Sequence, residues 1–125
     1  MTMKITALAA LLLLAATLPG QAQTPALPET MMTKLMKAVE ENDYAAFVED
    51  GIPEFKAGVT PQILEGVSLQ IADRMKEGYT CTYLAELKQR EFKVYLWKVT
   101  FTDGGDDALV KLVVRDDLVA GFWIQ

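Results

Sequence analysis

The chain has 125 residues, one cysteine, no histidine and a net charge of −5, with about half its residues hydrophobic. An acidic chain without a basic run is a poor reader of nucleic acid or of an anionic membrane. A single thiol excludes an intramolecular disulfide, and the lack of histidine removes the commonest general base and metal ligand.

Met1 to Ala22 reads as a secretory signal peptide. Lys4 supplies the charged start, and Ile5 to Leu18 forms an apolar run of about 14 residues, short of the roughly 20 a membrane span needs. Pro19-Gly20 breaks the run, and Gly20-Gln21-Ala22 has the small residues of a cleavage site. The expected location is therefore secreted or periplasmic, with no membrane attachment after cleavage. Residues 23–28 (Gln-Thr-Pro-Ala-Leu-Pro) read as an extended leader, and 29–125 as one α+β domain.

A first helix is expected over Glu29 to Glu41, where Met31, Met32, Leu35, Met36 and Val39 form one apolar stripe. Asn42-Asp43 interrupts it, and Asp43 caps a short helix from Tyr44 to Glu49. Ile52–Val59 reads as a linker whose Phe55 plugs the core. Thr60 as N-cap and Pro61 at the first helical position open a third helix, which runs to Glu77 and stops at Gly78. Its expected buried stripe is Ile63, Leu64, Val67, Ile71 and Met75. Gly66 inside it costs helix stability, and close packing on a sheet would account for it.

Four strands follow: Tyr79–Lys88, Phe92–Thr102, Asp107–Arg115 and Leu118–Ile124. Breaks as short as Gln89-Arg90-Glu91, Asp103-Gly104-Gly105-Asp106 and Asp116-Asp117 make neighbours antiparallel. A two-residue turn at Asp116-Asp117 sets Val114 against Val119, Leu112 against Gly121 and Val110 against Trp123. A tip at Gly104-Gly105 sets Phe101 against Ala108, Val99 against Val110 and Trp97 against Leu112. Opposed and alternate residues share a face. One face then holds Tyr95, Trp97, Val99, Phe101, Val110, Leu112, Val114, Val119 and Trp123 without a charge. A three-residue loop at Gln89–Glu91 adds Cys81, Tyr83, Ala85 and Leu87 and keeps Glu86 off that face. The other face mixes Val94, Leu96, Leu109, Val113, Ala120 and Phe122 with Lys98, Lys111 and Arg115. The helices cover the uncharged face, which gives an α+β architecture on a curved four-stranded antiparallel sheet.

The order of helix, short helix, helix and four-strand meander resembles the nuclear-transport-factor-2-like (cystatin-like roll) superfamily. More narrowly it resembles the secreted bacterial domains grouped as domain of unknown function 3887. The residues that carry the likeness are Asn42-Asp43-Tyr44 with Phe47, Phe55, Gly78-Tyr79, Tyr95 to Phe101 with the Gly104-Gly105 turn, and Val119 to Trp123. They span about Glu29 to Gln125. The resemblance implies a sheet curled into a cone, a ligand cavity between sheet and helices, and pairing through the outer face.

The chemistry is sparse. The uncharged face offers no carboxylate in this register, so no catalytic residue is named and a non-enzymatic binding domain is the leading reading. The alternative is an enzyme acting on a small apolar substrate, with Glu86 as a misplaced acid, and the register of the first hairpin discriminates between them. Cys81 lacks an activating partner and reads as a buried apolar side chain. Met31, Met32 and Met36 read as core rather than a copper site, and the Asp residues around Gly104-Gly105 as a turn rather than a calcium loop. No metal or cofactor is expected. Tyr83, Tyr95, Trp97 and Trp123 read first as core and second as a small pocket for an apolar ligand. Val94, Leu96, Leu109, Val113 and Phe122 mark the outer face, where a homodimer or a partner protein is expected to dock.

Overall fold

The computed structural model describes residues 24–125. The expected signal peptide lies outside the described residues. Four helices, α1 (Ala26–Glu41), α2 (Tyr44–Val48), α3 (Pro53–Gly58) and α4 (Pro61–Glu77), precede four strands, β1 (Tyr79–Gln89), β2 (Phe92–Phe101), β3 (Ala108–Arg115) and β4 (Leu118–Ile124). The strands form one antiparallel sheet in sequence order. Helical and strand side chains meet in a shared core, so the fold is α+β. No helix among the described residues is long and apolar enough to cross a membrane.

The first helix starts at Ala26, three residues earlier than Glu29, and takes in part of the expected leader. Pro25 stands at its N-cap and Pro28 in its first turn, where a missing N–H costs no intrahelical bond. The stripe of Met31, Met32, Leu35, Met36 and Val39 is buried as expected. Asn42 ends the helix in the left-handed conformation, with its N–H donating to Val39 O. Asp43 caps α2 by accepting from the Ala46 N–H at 3.1 Å.

The segment read as a linker contains α3. Pro53 opens it at the first position, but six residues are too few to show a helical period. Phe55 is buried, as expected of a core plug. Thr60 caps α4 through a bond from the Ile63 N–H to its Oγ1 at 3.2 Å.

The buried stripe of α4 is Leu64, Ser68, Ala72 and Met75, while Ile63 is 52% exposed. Leu64 and Met75 are buried as expected, Val67 and Ile71 pack partly buried against the core, and Ser68 and Ala72 join the buried side; α1 is the helix α4 packs against most extensively. Gly66 does not serve close packing, because a Cβ built there meets nothing within 4 Å. Replacing Gly66 by alanine should therefore stabilise the domain by about 1 kcal/mol, the helix-propensity difference. Urea unfolding of the two proteins checks this; a loss of stability would mean that Gly66 has a contact unaccounted for.

The sheet departs from the expected register in three places. The β1–β2 tip is a two-residue turn, with Gln89 opposite Phe92, and a bulge at Leu84 restores the pairs Tyr83–Trp97 and Cys81–Val99. Beyond the bulge Ala85 faces Leu96, Glu86 faces Tyr95 and Leu87 faces Val94. Leu87 and Ala85 thus move to the outer face, and Glu86 to the inner one. Between β2 and β3 the partners slide by two residues, pairing Trp97 with Val110 and Val99 with Ala108, because the connection from Thr102 to Asp107 is longer than the Gly-Gly tip alone. A shift of two leaves every face unchanged.

The third departure matters most. Val114 faces Val119, but a shift then sets Val113 against Gly121, Leu112 against Phe122 and Lys111 against Trp123. Ala120 is the extra residue, and everything after it changes sides. Phe122 lies on the helix side, 6.0 Å from the Phe47 ring, and Trp123 lies outside, with Lys111 Nζ 5.1 Å from its ring centroid. Gly121 makes this possible, since a Cβ there would collide with the Trp123 indole.

The β2–β3 connection is pinned by Arg74 of α4. Its guanidinium donates to both oxygens of Asp103, at 2.6 and 3.0 Å, and to the Asp106 carbonyl at 2.9 Å. The same group lies 3.9 Å from the Phe101 ring centroid. The hydrogen bonds from Arg74, and then the Gly105 N–H, hold the Asp103 carboxyl down to about 2 from its ordinary 3.8. A depressed carboxyl stabilises the fold above its unfolded value and loses that contribution as pH falls through the folded value. Domain stability should therefore drop between pH 3.8 and about 2. Arg74→Met should flatten that drop, which urea midpoints of both proteins across the interval would show; parallel curves would remove the pair from the account.

Candidate functional site

The expected aromatic pocket is not one site. Tyr83, Trp97 and Tyr95 do gather on the inner face, with centroid distances of 5.8 and 6.3 Å to the central indole. Trp97 is 1% exposed and so is a core side chain rather than a wall open to a ligand. Tyr95 borders a groove at the hairpin end with Leu27, Pro28, Lys93 and Asp117. Trp123, the fourth member, is on the opposite face for the reason given above.

Glu86 shares the inner side with Tyr95 but is exposed to solvent. Burial first, and then the Glu86 charge, push the phenol groups of Tyr83 and Tyr95 up from their ordinary value. Both therefore stay protonated, able to donate a hydrogen bond but not to accept a proton. Cys81 is half-buried, and burial followed by the charge of Glu29 pushes its thiol up, away from the thiolate a nucleophile needs.

The outer face also changes membership. Phe122 leaves it through the β4 shift. Val94 remains on that side, beside Leu87 and Val113, yet is only 4% exposed. Leu96, Leu109 and Val113 stay partly exposed there, and Leu87 and Trp123 join them.

The concave site is elsewhere. A cleft of about 360 Å³ opens between α2, α3 and α4 on one side and the last half of β4 on the other. Phe47, Phe55, Ile63, Phe122 and Trp123 contribute its largest apolar groups. Phe47 touches both Phe55, at a centroid distance of 5.6 Å, and Phe122, so three rings make one continuous wall. The Tyr44 hydroxyl donates to Val59 O at 2.6 Å and ties the α3–α4 connection to α2. At the other end Gly51 bridges to β4, with Val119 N donating to Asp50 O and Ile52 N to Val119 O, both at 2.8 Å. Lys34 fixes this linker to α1 through Glu49 at 2.8 Å and Asp50 at 2.9 Å.

Glu54 is the one ionisable side chain among the lining residues, and its carboxylate accepts from Arg115 at 3.1 Å. Its backbone hydrogen bond, and then Arg115, hold its carboxyl below the ordinary range. The cleft thus holds no unpaired base or acid, and among the described residues no cluster of histidine, cysteine and carboxylate groups could hold a metal ion. Such a surface can exclude water from an apolar molecule and stack against it.

Sequence reading missed this cleft because it buried Ile63, turned Phe122 outward and treated α3 as a linker. The adjacent small residues Ala120-Gly121 were the available signal, since small residues inside a strand mark a bulge or a close approach. No protein-family model matches the chain, and no curated protein matches it either.

Proposed function

We propose that this is a secreted, non-enzymatic binding domain that holds a small apolar molecule in the cleft between α2–α4 and β4. The observation that carries the reading is a cleft of about 360 Å³ whose wall is three touching aromatic rings and whose only carboxylate is already paired. Its volume lies within the range of small-molecule sites, about 300–1,000 Å³. Ile63 supports it further, as a large apolar side chain left half open at the mouth rather than used in the core. Glu86 opposite Tyr95 is the register that favours the enzyme alternative, but the carboxylate is exposed to solvent and its phenol neighbours hold their protons, so binding remains the better-supported reading. The likeness to cone-shaped rolls agrees in kind, since such folds place ligands between helices and sheet.

A titration with the uncharged dye N-phenylnaphthylamine tests the proposal. Gly58 lines the cleft, and a Cβ there meets nothing within 4 Å, so Gly58→Phe should fill the space without disturbing the backbone. Dye fluorescence should rise with the natural protein and fall at least about tenfold in affinity with the variant, a difference of roughly 1.4 kcal/mol. Equal binding by both proteins would refute the assignment.

A further inference from the structure

We propose that the outer face of the sheet is a docking surface for an acidic, apolar-bearing segment of a partner protein. In an acidic chain this face is inverted in charge. The outward positions of the four strands carry Lys98, Lys111 and Arg115 and no carboxylate, although the whole chain has 17 acidic residues against 12 basic ones. Arg115 is committed to Glu54 and Glu91. Lys98 and Lys111 have no ion-pair partner among the described residues.

The two lysines are diagonal neighbours. Lys98 pairs with Leu109, and Lys111, two residues along β3, pairs with Leu96. Lys111 is further placed by the Trp123 ring, and that indole, 48% exposed, offers its own apolar surface beside the charge. Leu87, also substantially exposed, extends the apolar surface toward β1. The face therefore offers alternating apolar contacts and free cations, which an amphipathic segment with carboxylates matches in both respects.

The same charges argue against the other occupants. A two-fold pairing of this face with itself would set Lys98 and Lys111 against their own copies with no acid between them. A nucleic-acid backbone or an anionic membrane needs more cations than two free lysines on a chain of net charge −5. Trp123 borders both this face and the apolar cleft, but Lys98 and Lys111 do not line the cleft, so the charge-reversal variant tests this proposal without touching the cleft.

The test uses the protein, two synthetic amphipathic peptides that alternate leucine with glutamate or with lysine, and the double variant Lys98→Glu, Lys111→Glu. The glutamate peptide should bind the natural protein, bind more weakly as salt rises, and bind the variant at least about tenfold more weakly; the lysine peptide should show the reverse preference. Trp123 fluorescence should respond in each productive pair. Equal binding of both peptides, or no change with the variant, would overturn the proposal. So would binding to phosphatidylglycerol vesicles with none to the glutamate peptide, or a dimer in sedimentation that the double variant weakens.

Discussion

Trp97→Ala should cost the domain roughly 3–5 kcal/mol, and Trp123→Ala less than about 1 kcal/mol. Trp97 sits mid-strand on β2 between Tyr83 and Tyr95, with Val110 opposite it on β3. Its removal would leave a cavity that residues from three strands cannot close. A domain of this size has about 5–15 kcal/mol in total, so the variant should be marginal. Trp123 lies over Gly121 beside Lys111, half in water, and little collapses when it goes. Urea unfolding of the two variants compares them directly. Were Trp123 on the inner face, the two losses would be similar, and the β4 bulge would be wrong. Acrylamide quenching gives a second readout, with Trp123 accessible and Trp97 protected.

Gly51→Ala should destabilise by about 1–3 kcal/mol and weaken the cleft at the same time. A Cβ on Gly51 would stand 2.5 Å from Phe55 Cδ2 and 3.2 Å from the Val48 carbonyl oxygen. The ring is the part able to move, and Phe55 is a wall of the cleft in contact with Phe47. Displacing it strains the junction where Gly51 bridges to Val119. The measurements are the urea midpoint and the dye titration on the same sample. Loss of stability with unchanged dye affinity would separate the ring from the site; no change in either would show that the ring relaxes freely.

The layers and the strand order were legible in the sequence because alternation is strong in the middle of the sheet. Tyr95, Trp97, Val99 and Phe101 cannot change sides without burying Lys98. The alternation is also kept through the slide of two residues between β2 and β3, which preserves every face. It weakens where side chains are small or ambiguous. Leu84-Ala85 and Ala120-Gly121 cost little on either face, so nothing in the alternation forbids the extra residue that each bulge inserts. Both errors lie beyond those points, taking Leu87 outward and exchanging Phe122 with Trp123. The α4 stripe was misjudged for a related reason. Ser68 and Ala72 face the core because the packing there takes small side chains, whereas hydrophobicity alone favours Ile63. The candidate site inherited these errors. The four aromatics do not make a site because Trp97, the largest fully buried side chain, belongs to the core, while Trp123 lies across the sheet.

The most direct test of the cleft is chemical-shift mapping of the protein during titration with N-phenylnaphthylamine. The account predicts that side-chain signals of Phe55, Ile63 and Phe122 and the Trp123 indole N–H shift together and saturate at one stoichiometry, while Tyr83, Tyr95 and Cys81 stay still. Shifts centred on Tyr95 and the hairpin groove, or spread across Leu87, Leu96 and Leu109 with none at Phe55, would contradict it.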